Sequence, residues 1–223
     1  MSRIQENTVS SARQIKKKGP VFFLKTEGEG EKILFVGNSI TLHLPKPDIG
    51  WYGSWGMAAS CAEKDYVHLV MEKLLKKDAE SRFAVCHVSD WERGYRTGET
   101  FFEAFLPARE FGADVIIMRC VENCPHDENF DSVVFRRKYQ ELIEYLNPKG
   151  KAKVILTTGF WKHVGNEEIR TVAMEKEYNL VELEELGEED SMMAIGLFEH
   201  HGVSIHPGDK GMAAIAEKIL QLI

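Results

Sequence analysis

The sequence predicts an α/β protein: a three-layer α/β/α sandwich around a central five-stranded parallel sheet. Two features underlie that prediction. Short runs that are apolar at nearly every position recur at 33–36, 83–88, 114–118 and 154–158, with a shorter one at 179–183. Strands covered on both faces read this way, because neither face is left to water. Between the runs lie segments whose apolar residues fall at helical spacing. Strand and helix alternating in this way build a parallel sheet between helical layers, and right-handed crossovers restrict how those layers wind.

Taken in order, residues 1–30 read as a polar N-terminal extension, and a single domain is placed at 31–223. The extension holds a basic run, Lys16-Lys17-Lys18, balanced by Glu27, Glu29 and Glu31, and one short apolar stretch at 21–24. The first core strand stops at Gly37. A long helix is expected over 57–77, where Ala58, Cys61, Ala62, Val67, Val70 and Leu74 share a stripe, and further helices over 135–146 and 167–178. The last helix, 209–223, opens after Pro207 and Gly208 with Asp209, which suits a helix start. It then aligns Met212, Ile215, Ala216 and Ile219.

A chain of 223 residues is long enough to bury one substantial core without staples. Its net charge of −7 argues against nucleic acid or an anionic membrane as partner, since both call for a clustered basic face. No apolar run approaches the length of a membrane span. The first residues lack a hydrophobic segment behind a charged start, so a cytoplasmic location is expected. The four cysteines, Cys61, Cys86, Cys120 and Cys124, are few for a disulfide scaffold and fit a reducing compartment. Cys120 and Cys124 precede His126, but no second ligand pair completes a metal site there. They read as core thiols, and neither metal nor cofactor is expected.

In an open α/β sheet, ligands bind beyond the carboxyl ends of the strands. That rule puts Gly37-Asn38-Ser39, directly after the first core strand, on the functional edge. A serine hydroxyl is a poor nucleophile without a base and oxyanion donors. Alone, the tripeptide also reads as an ordinary turn with Ser39 or Thr41 as a cap. Two further segments reach the same edge. "FEHHGVSIHPGDKGMAAIA" brings His206, stiffened by Pro207, and "MRCVENCP" brings Arg119, Glu122 and Asn123. The loop "DIGWYGSWGMAAS" offers Trp51, Tyr52 and Trp55, either as an aromatic cleft wall or as packing over the sheet edge. Its glycines match no phosphate-binding pattern. His43, His200 and His201 have no acidic ligand cluster beside them and read as cleft-mouth or surface residues.

Gly37-Asn38-Ser39-Ile40 resembles the opening Gly-Asp-Ser-Leu block of the SGNH, or GDSL, hydrolases. "IHPGDKGM" resembles their closing block and "DVIIMRCVENC" their third, a strand followed by Gly-x-Asn-Asp. The resemblance implies a flavodoxin-like sheet, Ser39 as nucleophile, His206 as general base and Asn123 as an oxyanion donor. In the second block, "HVSDWERGYRTGE", Gly94 is the nearest match to a second donor, with the amides of Trp91, Glu92 and Arg93 as alternatives. The family carries an aspartate three residues before its histidine, where this chain has Val203. A backbone carbonyl or a borrowed Glu199 would then orient the imidazole. Val121 stands where the third block has glycine. Trp55, Glu122 and Arg119 are expected to bind substrate, Arg119 either meeting a substrate carboxylate or pairing with Glu122. The expected activity is hydrolysis of a small-molecule ester of short acyl type, an O-acetylated carbohydrate being preferred for the aromatic loop. A non-catalytic SGNH-fold protein binding a carbohydrate or protein partner is the rival reading, favoured by Val203 and Val121. A flavodoxin-like module in which Ser39 merely caps a turn is another.

Overall fold

A computed structural model describes residues 19–97, 101–126 and 130–223. Strand β2 (Lys32–Gly37) lies at the centre of its sheet. Ile33 and Phe35 point into one apolar layer, Leu34 and Val36 into the other. A strand of period two in the middle of three layers has no face for polar residues, hence the unbroken apolar run. The other strands are β1 (Val21–Lys25), β3 (Arg82–His87), β4 (Val115–Arg119), β5 (Lys153–Thr157) and β6 (Asn179–Val181). They form one six-stranded sheet in the order β1-β3-β2-β4-β5-β6. Strands β2 to β6 are parallel, as expected, and β1 adds an antiparallel edge on β3.

Strand β1 corrects the expected domain boundary, because 21–25 belongs to the sheet and not to a polar extension. Phe22 and Leu24 pack on one core layer and Val21 on the other, while Phe23 stays half exposed beside Phe111. An edge strand buries its side chains only in part, so its run is short and reads as a lead-in.

Helices α1 (Tyr66–Lys77) and α7 (Asp209–Leu220) cover one face. Helices α2 (Ser89–Gly94), α3 (Leu106–Phe111), α4 (Ser132–Leu146) and α5 (Asn166–Lys176) cover the other, and α6 (His201–Ser204) is one turn before α7. The helix expected from residue 57 begins only at Tyr66. Asp65 caps it, accepting from the His68 amide at 2.7 Å and, through its other oxygen, from the Gly56 amide at 2.9 Å. The preceding segment is committed elsewhere: the Met57 amide donates to the Ser39 carbonyl at 2.9 Å, and Ala58 sits at φ 74°. Among the described residues no helix is long and apolar enough to cross a membrane.

From β2 the chain steps to β3 on one side and then returns across β2 to β4 on the other. The carboxyl end of β2 is therefore the switch point of the sheet, where loops diverge and leave a crevice. Gly37 ends the strand there. A Cβ on it would lie 2.0 Å from Thr41 Oγ1 and 2.7 Å from the Arg119 carbonyl oxygen, so the turn closes only over glycine.

Candidate active site

Beyond Gly37 the backbone makes one tight turn, with the Thr41 and Leu42 amides both returning to the Asn38 carbonyl at 2.9 and 3.0 Å. Ser39 stands at the outer edge of this turn. On the approach to α7, the His206 carbonyl accepts from Ala194 and Met193 bridges to Pro207, fixing the histidine over the same lip. Ser39 Oγ lies 2.9 Å from His206 Nε2 across 167 residues of sequence. His206 Nδ1 lies 2.6 Å from the Gly202 carbonyl. A carbonyl only accepts, so Nδ1 carries the proton and Nε2 is left to accept from the serine hydroxyl. Trp161 meets the imidazole edge to face at 5.5 Å. Burial pushes the ring down to about 4, against the Gly202 bond and aided by the Arg119 charge, so it is neutral at pH 7.

In the motif that this chain resembles an aspartate stands at the position of Val203; here the Gly202 carbonyl meets Nδ1 instead. Val203, at that position, is wholly buried against Trp51, Met57, Ala58 and Ala194. Glu199 is exposed, and among the described residues the imidazole bonds only Ser39 and Gly202.

Asn123 lines the cleft. Its Nδ2 donates to Glu92 Oε2 at 2.7 Å, and its Oδ1 accepts from Arg93 at 2.9 Å. Four expectations are corrected. Gly94 does not face the cleft: it ends α2, and a Cβ there would lie 2.4 Å from the Phe101 ring. The face of α2 that lines the cleft carries Ser89, Asp90 and Arg93. Arg119 is fully buried, donating to Glu122 Oε1 at 2.6 Å and to Asn38 Oδ1, so it meets no substrate carboxylate. Glu122 is likewise enclosed: its Oε2 accepts from Asn38 Nδ2 at 2.6 Å and its Oε1 from the Phe160 amide at 2.9 Å. The Arg119 guanidinium and these donors outweigh burial and hold its carboxyl low, at about 2. Trp55 packs edge-on against Trp51 at 5.6 Å and gives its indole N–H to the Ala59 carbonyl at 2.9 Å. It is part of a packed loop, not a wall of the Ser39 cleft.

The cleft encloses about 410 Å³ and is lined by Ser39, His206, Asn123, Arg93, His43 and His200, among others. His201 faces outward. Cys120 and Cys124 are buried free thiols of the core, as read from their spacing. Sequence reasoning gave Asn38 no role of its own, considered Glu92 only for its backbone amide, and foresaw an orienting backbone carbonyl without placing it at Gly202. Asn38 replaces the aspartate of the family block and hides among ordinary turn residues. A fully buried Glu92 has no sequence signature, because glutamate is rarely buried. The Gly202 contribution is backbone and independent of side-chain type.

No protein-family model matches the sequence, and no curated protein sequence matches it. Solved structures do. A two-domain esterase active on acetylated mannans, co-crystallised with mannopentaose, aligns at TM-score 0.54 and 20% identity, over 86% of this chain and 48% of that one. A family two carbohydrate esterase from Clostridium thermocellum, in complex with cellohexaose, aligns at 0.56 and 15%, over 89% and 65%. The lipase/acylhydrolase from Enterococcus faecalis aligns at 0.55 and 16%, over 87% and 95%. The chain has an SGNH-hydrolase-like fold. It spans about half to two-thirds of the length of the first two structures, 48% and 65%. At these identities the likeness is one of fold alone.

Proposed function

We propose that this chain is a serine esterase acting through an acyl-enzyme on Ser39, with His206 as its base. The observation that carries the reading is the 2.9 Å contact from Ser39 Oγ to a His206 Nε2 whose tautomer is set by Gly202. In the first step Oγ attacks the ester carbonyl carbon and its proton passes to Nε2. The carbonyl electrons move onto oxygen, where the Ser39 amide and the second Nδ2–H of Asn123 receive them. Collapse breaks the ester C–O bond, and the leaving alcohol takes the proton from Nε2. Water then repeats the sequence on the acyl-enzyme, releasing the acid and restoring Ser39.

With the imidazole buried and neutral, the base is in its working form throughout the neutral range. The Gly202 dipole stabilises the transient imidazolium in place of a carboxylate. The substrate proposed is a short-acyl ester, with O-acetylated carbohydrate preferred because structures of the same fold include an esterase active on acetylated mannans. The cleft of about 410 Å³ suits an acyl group with part of its alcohol. Hydrolysis of 4-nitrophenyl acetate and of an acetylated mannan tests the reading. Ser39→Ala is expected to lower kcat by at least about 10³-fold; unchanged turnover in that variant contradicts it.

A further inference from the structure

Asn123 is held at both ends by groups of opposite charge. Its Oδ1 accepts from the Arg93 guanidinium at 2.9 Å, and its Nδ2 donates to the Glu92 carboxyl at 2.7 Å. Turning the amide over would set NH₂ against a cation and oxygen against a carboxylate, so one orientation is selected. An amide nitrogen carries two hydrogens. With one given to Glu92, the other is left for the cleft that Asn123 lines. Glu92 is itself fully buried and touches no substrate. Its remaining oxygen, Oε1, accepts from Asn38 Nδ2 at 3.0 Å, and Asn38 directly precedes Ser39. One inaccessible carboxyl thus ties the nucleophile turn to the amide of the third loop.

We infer that Glu92 is a positioning residue for ester hydrolysis: as a carboxylate it aims the Asn123 amide at the oxyanion and couples that amide to the Asn38-Ser39 turn. The inference rests on the proposed esterase reading for its kinetic consequence. Its geometry stands apart from that reading.

Both Glu92 oxygens must accept if both links are to hold. A protonated carboxyl presents an O–H to one of two NH₂ donors and loses that link. The groups facing Glu92 are Glu122 and Arg119 from the β4 end, Cys120 and Cys124 beside them, and Tyr139 of α4. The thiols and the phenol are pushed up by burial and stay neutral. Burial and the Glu122 charge raise the Glu92 carboxyl to about 7, against the two amide bonds and Arg119. His206 lies far lower, at about 4. Activity should therefore fall as pH drops through 7, on a limb that belongs to Glu92 and not to the imidazole.

The test is Glu92→Gln in the full chain, with folding checked by circular dichroism. Its kcat on 4-nitrophenyl acetate should fall about 10²-fold, near the loss of one oxyanion donor, with KM within about two-fold. The limb near pH 7 should vanish and leave only the one set by His206. Retention of that limb, or a kcat within about two-fold of the parent, overturns the inference. A second readout needs neither catalysis nor a stable variant: the Asn123 side-chain NH₂ resonances of the unaltered protein should shift with a midpoint near pH 7. Resonances flat across pH 5 to 9 overturn the positioning role. If Ser39→Ala hydrolyses ester as well as the parent, the esterase reading alone has failed, and the NH₂ titration still decides the link between Glu92 and Asn123.

Discussion

Val203 sits three residues before His206 with its side chain wholly enclosed by Trp51, Met57, Ala58 and Ala194. Installing the missing carboxylate there would bury an unpaired charge among apolar groups, not reach the imidazole. Val203→Asp is therefore expected to cost at least about 3 kcal/mol of stability, read by urea denaturation, without raising kcat. A gain in activity with stability intact would show that an acid can orient His206 from this position. The residues proposed to bear the chemistry, Ser39, His206 and Asn123, stand out in the sequence because that chemistry requires their side-chain types. Those that hold them in place do not. Arg119 and Glu122 look like substrate ligands in the sequence because charged residues near a strand end are normally exposed, and only the fold shows them neutralising each other under Asn38. Gly202 acts through its carbonyl, which any residue supplies.

At the level of elements, the site depends on how closely β2 and β4 approach at their carboxyl ends. Gly37 pairs with Arg119 across that gap, and the carbonyl that a new Cβ would strike is backbone. Gly37→Ala is expected to destabilise by about 1–3 kcal/mol and to displace Ser39 from His206, so that activity falls further than stability alone explains. Thermal unfolding and kcat measured together check this, and an unchanged pair would mean that the turn has room to adjust. The four inner strands were readable because each is apolar on both faces, and the edge strand β6 showed only as a shorter run. The antiparallel edge strand and the late start of α1 were not readable. Val21–Lys25 needs only partial burial, and 57–65 keeps a helical apolar stripe although its Met57 amide is drawn to the Ser39 carbonyl. Tertiary hydrogen bonds overrode a local pattern there.

At the scale of the whole molecule, His43 is lowered and His68 raised, in opposite senses, while burial takes three imidazoles, His87, His163 and His206, each down to about 4. In the unfolded chain they titrate near 6.5, so the unfolded state takes up protons first as pH falls. Their contribution to stability is complete above pH 6.5 and is lost between about 6.5 and 4. Glu92 has the opposite sign: raised to about 7 in the fold, it favours folding below the ordinary carboxyl range and loses that contribution as pH rises to 7. Each uncompensated proton is worth about 1.4 kcal/mol per pH unit. Stability should fall from pH 6.5 to 4.5 with a slope near two such protons, since Glu92 offsets one imidazole. His163 does not line the Ser39 cleft, and its Nδ1 accepts from the Gly165 amide at 2.8 Å. His163→Gln should remove one proton from that slope in urea titrations across the range; an unaltered slope would exclude His163 as a source. The same fold sets a hydroxyl and an imidazole 167 residues apart within 2.9 Å of each other. Labelling with a fluorophosphonate, read by intact mass and peptide mapping, addresses that pairing most directly. One adduct per chain on Ser39, forming at least about 10³-fold more slowly in His206→Ala, is the predicted result. A folded protein in which Ser39 stays unmodified, or reacts equally fast without His206, would contradict it.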